Sequence, residues 1–174
     1  MDTVVINLFG GPGSGKSTLC ALIFAQLKMM GINCEMATEY VKDIVWEESF
    51  KKMENQIYIF GKQHSRVNRL LGKVDIIITD SPLLNSIVYD ISKNPYLKDL
   101  VMFEFKKLKT LNFYVKRKFD YRPDGRVQDL EQAKQVDVDY NQLLIDNSIQ
   151  YYEVESGNID FVINTLKENN IIPK

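Results

Sequence analysis

The chain has 174 residues, a length suited to one compact domain, and 45% of them are hydrophobic, which excludes an intrinsically disordered chain. A formal net charge of −1 excludes a broadly basic nucleic-acid coat protein, and no apolar run approaches the ~20 residues that cross a bilayer. Cys20 and Cys34 have neither metal nor disulfide spacing, so Cys20 reads as a small apolar helix residue, and a reduced, cytoplasmic setting is expected.

The opening MDTVVINLFGG lacks a basic stretch and a small-residue cleavage site, so it reads as a buried first strand over residues 4–9 and not as a signal peptide. A helix over 17–30 comes next, with Gly31 as its C-terminal cap, and then a short strand over 33–37. The pattern at 51–71, apolar at Ile57, Phe60, Val67 and Leu70, predicts one long helix that Gly72 ends. The nearly continuous apolar run VDIIIT at 74–79 predicts a strand covered on both faces. Helices are predicted over 97–109, 130–146 and 159–168, and strands over 111–115 and 149–154. Strands alternating with helices imply right-handed crossovers, hence an α/β fold in three layers. A five-stranded parallel sheet with helices on both faces and a short lid is expected; its order, 2-3-1-4-5, is the one that the family resemblance described below implies. The whole chain, 1–174, is then one domain with an acceptor-side insert over 40–73 and a lid over 116–128. The ligand edge of such a sheet is the carboxyl end of its strands.

The stretch GGPGSGKST meets the G-x-x-x-x-G-K-[ST] pattern with Gly10, Gly15, Lys16 and Ser17, between a predicted strand and a predicted helix. Glycines at 10, 11, 13 and 15 let the backbone turn tightly around phosphate oxygens, and the helix N-terminus adds partial positive charge. Residues Gly10, Gly11, Pro12, Gly13, Ser14, Gly15, Lys16, Ser17 and Thr18 are thus expected to bind nucleotide. Lys16 reaches the β- and γ-phosphates and Ser17 holds Mg²⁺. Asp80, after the run 74–79, is placed at a strand tip to orient Mg²⁺ or take the acceptor's proton; the alternative is an N-cap for the segment that begins at Ser81. Glu39 stands at the equivalent place after the second strand and is the other candidate base; the alternative is a solvated glutamate at a helix start. Asp43, Glu47 and Glu48 read as a solvated face.

A regulatory GTPase needs N-K-x-D and D-x-x-G motifs, and Asp80 is followed instead by Ser81-Pro82-Leu83. A ring-forming AAA machine adds a helical lid domain for which this length leaves little room. The segment KRKFDYRPDGR at 116–126 carries five basic and two acidic residues around a Pro123-Asp124-Gly125 turn. It reads as a cationic cover in which Arg117, Arg122 and Arg126 close over the transferring phosphoryl group. In the insert, Trp46 or Tyr58 is placed to stack on a flat ring or to join the core; Gln63 to read a base edge; Arg66 to touch substrate. His64, the only histidine, has no partner at metal spacing and reads as an exposed helix residue.

Together GGPGSGKST, TEYVKDIVWE, QIYIFGKQ, ITDSPLL and FDYRPDGRVQDLEQA resemble small phage-encoded P-loop kinases related to the thymidylate kinase family, over residues 5 to about 135. The nearest resemblance is to the 5-hydroxymethyluridine DNA kinase group; a more distant one, through Glu39-Tyr40, is to nicotinamide riboside kinases. The resemblance implies ATP and Mg²⁺ as cofactors, nucleotide roles for Lys16, Ser17 and Asp80, and lid roles for Arg122 and Arg126. The implied acceptor is 5-hydroxymethyluracil in phage DNA, with a free nucleoside, nucleotide or riboside as the alternative. A nucleotide-binding regulator with slow hydrolysis is the rival from another class. Modified DNA is the implied macromolecular partner, in host cytoplasm, for a monomer or homodimer without a membrane role. A DNA-borne acceptor calls for a cationic groove, and Lys51, Lys52, Lys62, Arg66, Arg69 and Lys73 are the residues available for one.

Overall fold

The computed structural model describes residues 2–117 and 129–173. Chain order begins β1 (Val4–Phe9), α1 (Lys16–Met29), β2 (Cys34–Met36), α2 (Tyr40–Trp46), a 3-10 turn (Phe50–Glu54) and α3 (Gln56–Asn68). It continues β3 (Ile76–Thr79), α4 (Asn85–Val88), α5 (Pro95–Lys106), β4 (Lys109–Lys116), α6 (Leu130–Asp146), β5 (Tyr152–Glu155) and α7 (Ile159–Glu168). The five strands are all parallel, as the alternation of elements predicts, and run in the order β2-β3-β1-β4-β5 that the family resemblance implies.

Pleating divides the apolar residues between two layers. Val4, Ile6 and Leu8 of β1, with Ile76 and Ile78 of β3, face Leu19, Ile23 and Leu27 of α1 and Val162 and Leu166 of α7. Val5, Phe9 and Ile77 face the other way, onto Phe60 of α3, Val101 and Phe105 of α5, and Tyr140 and Leu144 of α6. Cys20 is buried in the first layer, where its thiol is pushed up to about 12 chiefly by burial, so it is an inert apolar group there. Asn7 breaks the apolar run of β1 inside the sheet, and its amide donates to Asn112 Oδ1 of β4 at 2.9 Å. Among the described residues no helix is long and apolar enough to cross a membrane.

Four sequence expectations need correction. The long helix over 51–71 is two pieces. Asn55 interrupts it at φ −99°, ψ 88°, and its side chain accepts the Tyr58 N–H at 3.0 Å, the local competition that makes asparagine a cap. Two helices are additional to those expected: α2, whose single fully buried residue Ile44 gives too little periodicity, and α4, which is one turn long. The helix expected over 97–109 starts earlier, because Asn94 caps it and Pro95 opens it, and it stops at Lys106 so that β4 can begin at Lys109. His64 is half-buried and not exposed: its Nε2 lies 3.4 Å from a Glu104 carboxylate oxygen, and its ring packs on Phe60.

Candidate functional site

The carboxyl ends of β1, β2 and β3 converge on the loop 10–15. The backbone there is left-handed at Gly13 (φ 77°) and Gly15 (φ 93°), conformations that favour glycine. Neighbouring elements also come too close for side chains. A Cβ on Gly11 would lie 2.6 Å from both Ala133 O and Asp137 Oδ1 of α6, and one on Gly15 would run into Ser156. Gly15→Ala is therefore expected to weaken nucleotide binding at least about tenfold, the combined result of left-handed strain and collision. A fluorescence titration with a labelled nucleotide checks this.

Lys16 opens α1, and its ammonium donates to the loop's own carbonyls, Gly10 O at 2.6 Å and Gly11 O at 2.9 Å. Burial lowers its pKa, against the pull of Glu39, Asp80 and Asp137. Asp80 follows β3 and is 4% exposed. It is not an N-cap: the next helix, α4, begins only at Asn85, and the Ser81 N–H is taken by Thr79 Oγ1. Its Oδ2 accepts from Lys42 Nζ at 3.2 Å, while its buried Oδ1 has no hydrogen-bond partner. Lys42 Nζ also donates to Ser17 Oγ at 2.5 Å, so an ammonium bridges the two side chains expected to serve the metal. The donor set fits Mg²⁺: a hydroxyl and a carboxylate, both hard oxygen ligands, with an unsatisfied carboxylate oxygen and room for phosphate and water. The described residues contain no cluster of three or more potential protein ligands, consistent with a metal held partly by phosphates.

Glu39 is the N-cap residue of α2, yet its side chain caps nothing; it lines the cleft facing the loop. Burial holds its carboxyl above the ordinary 4.5, Asp80 adds to the rise, and Lys16 and Lys42 oppose it. The turn that carries it is held from α3. Gln63 accepts the Tyr40 N–H at 3.0 Å and donates to Ala37 O at 3.4 Å, while Arg66 donates to Thr38 O and Oγ1 at 3.1 Å and pairs with Asp43. Gln63 and Arg66, expected at the substrate, hold the Glu39 turn in place, and Gln63 also lines the cavity beside it, while Asp43 is an ion-pair partner more than a solvated face. Periodicity alone carries no sign of this, since the contacts span 23 to 28 residues.

Arg117 also has partners other than those expected. Its Nη1 donates to Pro12 O at 2.5 Å and its Nη2 to Asp137 Oδ2 at 2.8 Å, so it is tied to the outside of the loop. Asp137 of α6, which sequence reasoning missed, in turn accepts the Gly11 N–H at 2.5 Å. Arg122 and Arg126 lie outside the described residues.

A cavity of about 490 Å³ runs from Gly13, Lys16 and Ser17 along Glu39 and Lys42 to the side chains of Val45, Met53 and Ile59. Trp46 and Ile91 stand at its margin, 79% and 94% exposed, so Trp46 is not core. Lys42 is the other residue that sequence reasoning does not single out; only the convergence of α2 with the tip of β3 shows its place.

The model of the AAA domain family matches residues 5–160. The chain belongs to the AAA domain family. This places its P-loop core in a group weighed from sequence only as ring-forming machines, because length bears on accessory domains and not on the nucleotide-binding core. No curated protein matches this AAA domain chain. Among solved structures it is similar to that of the NadR protein in complex with NR, with a TM-score of 0.74, 16% sequence identity and coverage of 95% of this chain. The chain spans about half of that protein, 51%. At such identity the likeness is one of fold, that of a P-loop kinase, and it accords with the sheet order and the nucleotide loop.

Proposed function

We propose that this AAA domain protein is a kinase that moves the γ-phosphoryl group of ATP onto a hydroxyl of an uncharged, ring-bearing acceptor of nucleoside size. The observation that carries this is the 490 Å³ cavity, continuous with the phosphate loop and lined beyond it by Val45, Met53 and Ile59 together with the polar Glu54, Gln56 and Gln63. Among the described residues its lining cations are Lys16 and Lys42, both at the nucleotide end, so none is placed to grip a phosphate on the acceptor. A switch or a passive regulator has no use for such a second compartment. The solved NadR complex with NR adds a riboside as a candidate acceptor, as does the sequence resemblance through Glu39-Tyr40.

The loop N–H groups and Lys16 are placed to hold the β- and γ-phosphates, and Ser17 and Asp80 would hold a Mg²⁺ ion, which would offset charge on the transferring group. Glu39 accepts the acceptor's proton as its oxygen bonds to the γ-phosphorus and the bond to the β-phosphate oxygen breaks. Burial suits Glu39 to this role because it keeps the carboxyl basic enough to take a proton. Asp80, tied to Lys42 and the metal position, is assigned to the metal.

A second reading, 5-hydroxymethyluracil in DNA, is favoured by the exposed apolar margin at Trp46 and Ile91, on which a flanking base can stack. Several cations that a strand groove would need are engaged elsewhere: Lys52 with Glu47, Arg66 with Asp43, and Lys62 over the Tyr40 and Tyr58 rings. A transfer assay with γ-labelled ATP separates the readings. It offers the free modified nucleoside, its 5′-monophosphate, nicotinamide riboside and DNA containing the modified base. Label in a nucleoside or riboside, at least about tenfold above the monophosphate, is expected. Label in the DNA alone replaces the acceptor, and label in none, with ATP bound, removes the kinase.

A further inference from the structure

We propose that Lys42 is the resident cation of the metal site, an ammonium that holds Ser17 to Asp80 and is displaced when a divalent ion arrives. The inference rests on the reading of Ser17 and Asp80 as metal ligands, and not on the identity of the acceptor. Lys42 Nζ lies 2.5 Å from Ser17 Oγ and 3.2 Å from Asp80 Oδ2. These atoms belong to three elements, α1, α2 and the tip of β3, so the ammonium is also a tether. It binds the short helix α2, which carries the Glu39 turn and Trp46, to the nucleotide side of the cleft.

The exposures explain why a lysine suits the place. The Asp80 side chain is 5% exposed, and a buried carboxylate needs a counter-charge. The Lys42 side chain is 44% exposed, reaching in from the cavity on a flexible stem, so it can withdraw without leaving a hole. The unpartnered Asp80 Oδ1 is a second ligand position that the ammonium does not fill and that a divalent ion can. Withdrawal releases the tether on α2 and leaves the ammonium in solvent at the nucleotide end of the cavity that Lys42 lines. Metal loading and the position of α2 are coupled by one side chain.

The test uses the full chain, Lys42→Met, Lys42→Arg, and two measurements that need no turnover. At a fixed, subsaturating concentration of a fluorescent ATP analogue, the Mg²⁺ concentration for half-maximal binding is expected to fall about three- to tenfold in Lys42→Met. It stays within about twofold of the original in Lys42→Arg, which keeps a cation. Without nucleotide, Lys42→Met is expected to melt a few degrees lower, with millimolar Mg²⁺ recovering most of the loss, while the unsubstituted chain barely responds. An unchanged Mg²⁺ requirement in Lys42→Met overturns the proposal. So does loss of nucleotide binding in the absence of metal with the metal response unaltered, because Lys42 would then be a phosphate contact. Both measurements are independent of the acceptor, so a failed transfer assay and a failed displacement are told apart.

Discussion

Glu39→Gln is expected to lower kcat about 10²- to 10⁴-fold while nucleotide affinity changes little, the effect of removing a general base from a site otherwise intact. Gln63 and Arg66 keep the turn in place through the backbone of residues 37–40, so the substitution alters chemistry and not position. The raised pKa of Glu39 adds two pH signatures. Transfer in the unsubstituted enzyme falls as pH drops through a value above the ordinary 4.5, and that limb is absent in Glu39→Gln. Stability moves in the opposite sense. The folded chain holds this proton more tightly than the unfolded chain does. The group's stabilising contribution is therefore complete below 4.5 and is lost as pH rises through the raised value. Glutamine has no charge to bury, so the Tm of Glu39→Gln relative to the original climbs with pH. Paired thermal melts between about pH 4 and pH 8 check this, and a difference that stays flat rejects the burial of the charge.

Asp137→Ala should cost the most stability of any change at the nucleotide end. One carboxylate accepts the Gly11 N–H and the Arg117 guanidinium, and Arg117 in turn holds Pro12 O. Removing it leaves a loop N–H and a guanidinium, its side chain 18% exposed, without this partner. Charge-assisted contacts of this kind are worth about 1.5–3 kcal/mol, which in a chain of this size lowers Tm by about 4–10 °C. Nucleotide affinity is expected to fall at least about tenfold as the loop loses its outer support. A competing effect runs the other way, since the carboxylate repels phosphate. Asp137→Asn separates the two: it keeps an acceptor oxygen and removes the charge. Affinity within about threefold of the original in Asn, with the loss in Ala, shows that support outweighs repulsion. Equal gains in both variants show the reverse. Calorimetric titration with ATP, beside the melts, gives the answer.

These two residues mark the division between sequence and structure. The phosphate loop was legible because all its chemistry lies within nine residues, between a strand and a helix that announce themselves by apolar pattern. The parallel sheet with helices on both faces was legible because strands and helices alternate and crossovers have one hand, while its order came from the family resemblance, since the same alternation serves other doubly wound orders. Asp80 was legible as a lone acid at the tip of a fully buried strand. The acceptor side was not. Asn55 divides what reads as one helix, and α2 is too short for its periodicity to show. The support that Gln63 and Arg66 give the Glu39 turn was not legible, nor was the place of Trp46 at the margin of the cavity, where sequence left it between a stacking and a core residue.

What the sequence by itself determined is the nucleotide end of this protein: the parallel sheet, the glycine loop, and Lys16, Ser17 and Asp80 in their places along it. What only the tertiary structure decided is who stands across from them. Lys42 meets Asp80 across 38 residues, Arg117 meets Asp137 across 20, and Asp137 meets Gly11 across 126. Local patterns report burial and turn geometry, which depend on near neighbours. Charge pairing between elements depends on how the layers pack, and no periodicity in the chain records it.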